Sequence, residues 1–278
     1  VSGPGEKRVE LTVAVAQLAG TKDVAFNLQA MERLSARAAA EGAAIVVFPE
    51  AVMYDFTASA EEIADAAHQH ADAFEAGVKA LAGRLGIAVV AGMYGRGEGS
   101  LARNVMIASG PDGAVLGLYQ KLHLYDAFHY RESDKNERAR LQPDFGELVT
   151  FDLQGFRFGL LNCYDIRFPE MSRLLVDKGA DVLLVASGWV AGPLKEFHWE
   201  TLLKARAIEN TCFVAASCQP APASVGLSMV IDPNGVATAT VAGGEGLAIA
   251  RLSKERLADV RRVLPCLTHR RYVVTAGE

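Results

Sequence analysis

Two short apolar runs constrain this chain more than any other feature. Residues 43–48 and 180–185 are each entered from the end of a helical pattern through a Gly-Ala step, Gly42-Ala43 and Gly179-Ala180. Each run is too short for a buried helix and too apolar for a half-solvated strand, so both read as strands covered on both faces. Such strands need layers above and below them, and the surrounding pattern supplies these. Val9, Leu11, Val13 and Val15 alternate as a strand. Val24, Leu28, Met31, Ser35 and Ala38 follow helical spacing. Ile63, Ala67, His70, Phe74, Val78, Leu81 and Leu85 make one continuous helical stripe that stops at Gly86. Further strands are expected at 87–90, 156–162 and 212–217, and helices at 170–178 and 196–210.

Turn chemistry adds two hairpins. Gly110-Pro111-Asp112-Gly113 separates 104–108 from 114–119, and Asp232-Pro233-Asn234-Gly235 separates 227–231 from 236–241. Helix end, Gly-Ala, buried strand and hairpin thus occur twice in the same order, though with unequal spacing. The echo implies an α/β fold of two related halves, with two sheets face to face and helices outside. No linker rich in Pro, Ser or charge divides the chain. Residues 9–278 are therefore expected to form one domain, behind a disordered or extraneous leader at 1–8. The longest poorly patterned stretch is 120–148, and loops of that length in compact domains are functional or disordered.

Charge and cysteine content exclude whole classes of function. Lys and Arg number 28 against 33 Asp and Glu, a net charge of −5, and a nucleic-acid binder normally carries a basic face. No apolar run approaches the roughly 20 residues that span a bilayer, and the first residues lack a secretory signal pattern. Four cysteines in 278 residues are not a disulfide scaffold and read as free thiols, which leads us to expect a cytoplasmic protein.

Three residues could carry chemistry. Cys163 stands where the strand 156–162 ends and a helix soon follows, in Asn162-Cys163-Tyr164-Asp165-Ile166-Arg167. That bend would present a thiol at the sheet rim, beside backbone N–H groups able to hold an oxyanion and near a helix N-terminus that favours thiolate. The plain alternative is a buried structural cysteine, the reading adopted for Cys212; Cys218 and Cys266 have no comparable context. Glu50 closes the run Ile45-Val46-Val47-Phe48-Pro49, at the carboxyl end of a buried strand where α/β sheets place their sites. Partial burial there should raise its pKa and suit it to accept a proton; the alternative is a solvated strand end. Lys121 follows an alternating strand and could stabilise an oxyanion, or simply be a surface lysine.

In order along the chain, Phe48-Pro49-Glu50, Gln120-Lys121-Leu122-His123-Leu124 and Cys163-Tyr164-Asp165-Ile166-Arg167-Phe168-Pro169-Glu170 resemble the motifs of the carbon–nitrogen hydrolase (nitrilase) superfamily, over roughly residues 10–272. The resemblance implies a four-layer αββα sandwich with an internal pseudo-two-fold. It implies Glu50 as general base, Lys121 as oxyanion-stabilising cation, Cys163 as nucleophile and the Tyr164 N–H as a second oxyanion donor. It also implies a second glutamate between the lysine and the cysteine. Glu132 in Tyr130-Arg131-Glu132-Ser133 matches best, with Glu137 and Glu147 as weaker candidates. The residues after Cys163 look like those of the amidase branch, including ω-amidases and deaminated-glutathione amidases. That branch implies hydrolysis of a small primary amide through a Cys thioester, no metal or organic cofactor, and a homodimer.

Tyr54, Trp189 and His129, with Tyr130, are expected to line the substrate pocket, by their positions near these motifs. Arg167 could bind a substrate carboxylate, although a pair with Asp165 or a nearby glutamate is the favoured reading. Arg270-Arg271 reads as a surface or subunit-contact pair. His68 and His70 point to different faces of a helix and make a poor metal pair. Three competing functions remain at this level: a carbamoylase or nitrilase on the same fold, a catalytically silent ligand-binding protein, and thiol redox chemistry. The last lacks a C-x-x-C or a resolving cysteine near Cys163.

Overall fold

The computed structural model describes residues 8–128 and 130–275. The expected leader at 1–8 therefore lies, but for Arg8, outside the described residues, as does His129. In chain order the elements are β1 (Glu10–Gln17), α1 (Val24–Ala40), β2 (Ile45–Val47), α2 (Ala60–Leu85), β3 (Ala88–Arg96), β4 (Ala102–Ser109) and β5 (Val115–Gln120). A small hairpin follows, β6 (Asp126–Ala127) with β7 (Tyr130–Arg131), and then β8 (Thr150–Leu153) and β9 (Phe156–Asn162). The remainder comprises α3 (Pro169–Asp177), β10 (Val182–Ser187), α4 (Lys195–Asn210), β11 (Phe213–Cys218), β12 (Ser228–Ile231), β13 (Ala237–Val241), β14 (Gly246–Ser253), α5 (Lys254–Val263) and α6 (Cys266–His269).

Two six-stranded sheets carry the pseudo-symmetry, in the orders β14-β1-β2-β3-β4-β5 and β8-β9-β10-β11-β12-β13. In the first, β1, β2 and β3 are parallel and β4 and β5 return antiparallel. In the second, β9, β10 and β11 are parallel and β12 and β13 return antiparallel. The two halves match strand for strand. The echo extends further than the sequence shows, because β8 beside β9 and β14 beside β1 add one antiparallel edge each.

Alternating burial explains the layers. Leu11, Val13, Val15, Ile45, Val47, Ala88, Val90 and Tyr119 of the first sheet pack with Phe158, Leu160, Val182, Leu184, Ala215 and Val230 of the second, in a core between the sheets. The opposite face of the first sheet buries Ala14, Val46 and Val89 under Met31 and Leu34 of α1 and Ile63, Phe74 and Val78 of α2. On the far side, α3 and α4 cover β9 and β11 through Leu175, Leu203 and Ala207. This is the αββα sandwich. α1 and α2 start where side chains cap them: Asp23 accepts from Phe26 N, and Ser59 and Glu62 form a capping box that begins α2 three residues before the apolar stripe. Gly86 ends α2 in the left-handed conformation, φ 68°, which glycine adopts freely.

Candidate active site

The site lies where the carboxyl ends of β2, β5, β9 and β10 converge. Glu50 stands three residues past β2, Lys121 directly after β5, Cys163 directly after β9, and Gly188 and Trp189 after β10. The chain turns sharply at Ala51, φ 54°, and is packed so tightly onto β3 that a Cβ on Gly92 would sit 2.5 Å from Ala51 N and Glu50 Cα. Only glycine lets this backbone approach.

Cys163 opens a single 3₁₀ turn, Cys163–Arg167, with φ 48°, a left-handed conformation that a non-glycine residue holds only under surrounding constraint. Asp165 supplies it: its carboxylate accepts Asn162 N at 2.9 Å, the Tyr119 hydroxyl at 2.7 Å and His123 N at 3.2 Å, and contacts His123 Nδ1 at 2.9 Å. The turn that carries the thiol is thereby tied to the segment that carries Lys121.

Lys121, 1 % exposed, donates from Nζ to Glu50 Oε1 at 2.7 Å and to Glu132 Oε2 at 2.8 Å. Asn104 on β4 bridges the same two carboxylates, donating from Nδ2 to Glu50 Oε1 at 2.8 Å and to Glu132 Oε1 at 2.9 Å. Gly188 N donates to Glu50 Oε2 at 2.7 Å and Tyr125 N to Glu132 Oε2 at 2.7 Å. Glu132 is thus the glutamate brought to Lys121. Glu137 pairs instead with Arg103 at 3.2 Å, and Glu147 accepts from Gln142 N.

Charge states follow from this wiring. Burial pushes the Glu50 carboxyl up, but the Lys121 charge and hydrogen bond, the Gly188 N–H and the Asn104 amide outweigh it and hold Glu50 below its ordinary value. The expected rise in its pKa does not occur, because burial comes with donors. Burial opposes the Lys121 charge, but Glu132 and Glu50 hold it well above its usual range. Burial, followed by the Glu50 charge, drives the Cys163 thiol well above its usual range. Burial thus outweighs the helix N-terminus that was expected to favour thiolate, and these shifts favour carboxylate, ammonium and neutral thiol.

A cavity opens onto the thiol, lined by Glu50, Lys121, Glu132, Cys163, Tyr164 and Trp189 together with residues the sequence did not flag: Phe56, Tyr94, Asn104, Tyr125, Asn136 and Lys195. Tyr54 is not among them; it packs, half-buried, with the core under α1 and α2, and Phe56 occupies the wall instead. Arg167 pairs with no carboxylate there: its guanidinium lies 4.7 Å over the Trp189 ring, and Nη2 is buried without a hydrogen-bond partner among the described residues. Arg270 bonds Asp177 of α3 within the chain. Asn104 carried the one available signal, a polar residue opening an otherwise apolar strand; Tyr94 sits on β3 and Lys195 at the start of α4 without a distinguishing pattern, and Phe56, Tyr125 and Asn136 come from loops whose course has no periodic signature. His68 is exposed and His70 half-buried on α2, and no cluster of three His, Cys, Asp or Glu side chains suited to a metal occurs among the described residues.

Residues 12–262 match the family model described as carbon-nitrogen hydrolase. The chain belongs to this family. Among curated carbon-nitrogen hydrolase relatives, it is 33 % identical over 262 residues to the deaminated glutathione amidase of Escherichia coli O157:H7, covering 94 % of this chain and 98 % of that one. It is 34 % identical to the human deaminated glutathione amidase, over 93 % of this chain and 82 % of that one. The NitFhit protein of C. elegans superposes with a TM-score of 0.85 at 29 % identity, over 94 % of this chain but only 65 % of that longer one. An amidase from Nesterenkonia sp. AN1, solved with acrylamide added at its active-site cysteine, superposes with a TM-score of 0.78 at 27 % identity, over 92 % of this chain and 98 % of that one.

Proposed function

We propose that this carbon-nitrogen hydrolase is an amidase that cleaves the C–N bond of a small primary amide bearing a carboxylate remote from the scissile carbonyl. The observation that carries the reaction type is the juxtaposition of a neutral buried thiol at Cys163 with an ionised Glu50 held by Lys121. Glu50 takes the thiol proton as Sγ attacks the amide carbon. The Lys121 ammonium and the Tyr164 N–H receive the developing oxyanion, and preorganised donors in a dry site are the strongest single contribution to such a step. Glu50 then passes its proton to the departing nitrogen, ammonia leaves, and a thioester remains on Cys163. Water, deprotonated by Glu50, attacks the thioester; the C–S bond breaks and the thiol regains its proton. Glu132 braces Lys121.

The carboxylate is supported by one cation on the cavity wall. Lys195 lines the cavity, with Nζ 2.8 Å from the Tyr125 hydroxyl and 5.7 Å from the Trp189 ring centroid, and an ammonium there suits a carboxylate. The deaminated glutathione amidases among the relatives support the same class.

The same reading includes a homodimer in the cytoplasm. Its support is the free state of all four cysteines and the strongly exposed Val263, Tyr272 and Val273 near the carboxyl end. Among the described residues no helix is long and apolar enough to cross a membrane. Light scattering on the eluting protein tests the dimer.

Ammonia release from succinamate, acetamide, a carbamoyl amino acid and a nitrile tests the function. Succinamate should be preferred, and release should vanish in Cys163→Ala while the fold persists. Retained turnover in that variant, or carbon dioxide accompanying the ammonia, would overturn it.

A further inference from the structure

The lining of the cavity falls into two groups by contact. Lys195, Trp189 and Tyr125 cluster together around the Lys195 charge. Tyr94, Tyr130 and Asn136 gather instead around the Glu50–Lys121–Glu132 network, where two carboxylates share one ammonium and leave a net charge of −1. Phe56 closes this second chamber beside Glu50: a Cβ on Gly188 would lie 3.4 Å both from the Phe56 ring and from Glu50 Oε2.

Asn136 is the unusual member. Its backbone is pinned, with N donating to Glu132 O at 2.9 Å and the flanking residues bonded to both backbone groups of Ala102. Its side chain is 4 % exposed, it lines the cavity, and Oδ1 has no hydrogen-bond partner among the described residues. A buried acceptor left unpaired is costly, and a bound donor would recover that cost. Tyr94, 2 % exposed, is kept a neutral phenol by burial and then by Glu50. A negative chamber offering a free carbonyl rejects anions and selects a group rich in N–H.

We propose that Asn136 and Tyr94 form the leaving-group subsite of this cavity, taking the –NH2 nitrogen of the scissile amide and, in reverse, an incoming amine. The inference rests on the amidase reading and says where the nitrogen goes. Asn136 Oδ1 accepts one N–H while Glu50 delivers to nitrogen the proton it took from sulfur; the C–N bond breaks and ammonia departs. In the reverse sense an amine lone pair forms the C–N bond, the C–S bond of the thioester breaks, and Glu50 moves a proton from nitrogen to the Cys163 sulfur.

Hydroxylamine tests this. Succinamate is turned over in its presence, and the ratio of hydroxamate to succinate reads how one common acyl-enzyme divides between amine and water. Loss of one hydrogen bond of about 1.4 kcal/mol should lower that ratio about tenfold in Asn136→Leu. Tyr94→Phe, which keeps the ring, should lower it several-fold and carries the test if the first variant does not fold. A residue that merely shapes the site would slow both branches together and leave the ratio unchanged; an unchanged ratio in active variants overturns the subsite alone. A wild-type protein that releases neither product from any amide overturns the amidase reading and the subsite with it.

Discussion

Asn162 donates its side-chain N–H to Asn104 Oδ1 at 2.9 Å, across the gap between the two sheets. Asn162 ends β9, immediately before the thiol, and Asn104 lies on β4 and holds both carboxylates. With the Tyr119–Asp165 and Gly188–Glu50 bonds, this bond registers the half that carries Cys163 against the half that carries Glu50. Asn104→Ala removes it and strips one donor from each carboxylate, and hydrogen bonds to charged groups are worth about 1.5–3 kcal/mol each. We expect kcat to fall about 10- to 100-fold, with a smaller proportional change in KM. Steady-state kinetics beside a thermal melt checks it.

The pH dependence follows from opposite shifts. The folded pKa of Glu50 lies below its ordinary value of 4.5, so its stabilisation is complete above that pH and is lost as pH falls through the folded value. Lys121 and Cys163 lie well above their ordinary values of 10.5 and 9.0, so their contributions are complete below those values and are lost as pH rises beyond them. The melting temperature should therefore be flat from about pH 5 to pH 9 and fall on both sides. Activity should share the plateau, because the reactive resting pair is carboxylate and thiol. Iodoacetamide should alkylate Cys163 through base assistance, and Glu50→Gln should slow that labelling near neutral pH. Equal rates in the two proteins would exclude the assisted thiol.

Removal of Lys121 exposes a different cost. Lys121→Met leaves Glu50 and Glu132 facing each other in a buried site with no cation, and an uncompensated buried charge costs about 3–5 kcal/mol. The double variant Lys121→Met with Glu132→Gln removes one carboxylate charge. Chemical denaturation should show the double variant more stable than the single one, while both remain inactive because the oxyanion cation is gone.

How much of this was legible in the chain depends on which residues repeat. The buried runs at β2 and β10, the α2 stripe and both hairpins are periodic or punctuated, and they lie where the spacing places them. Six elements escaped, among them the two-residue strands β6 and β7 in the unpatterned stretch. β8 has four residues, β14 is a half-exposed edge strand, and α5 buries only Leu257 and Val260, so their apolar patterns are faint; α6 is a single turn. Glu50, Lys121 and Cys163, which line one cavity, stood out because each follows a strand with a clear pattern. Asn136, Tyr125 and Phe56 reach the cavity through loops, whose course is set by contacts between distant segments such as Lys135 with the Ala58 carbonyl at 2.7 Å. The direction of the Glu50 shift was misjudged for a related reason. The donors to Glu50 come from Lys121, Gly188 and Asn104, which are far from it in sequence.

Gly92 tests whether the backbone beneath the base matters as much as the base. It sits on β3 with Tyr94 two residues on, and its N donates to Pro49 O at 3.1 Å. A methyl group there would meet backbone, not a flexible side chain, so Gly92→Ala must push the Glu50–Ala51 segment off β3. Glu50 would then move relative to Gly188 N and Lys121, and a shift near 1 Å in a catalytic group costs about 100-fold in rate. We expect kcat to fall by about that factor, with the acid limb of the pH–rate profile moving to higher pH as Glu50 loses the donors that hold its pKa down. A variant that melted lower but kept both kcat and the acid limb would show that Gly92 serves packing alone. Gly83, whose added Cβ would meet nothing closer than 3.5 Å, is the matched control. Gly83→Ala lies within α2, where alanine is the better helix former, and should leave the profile in place.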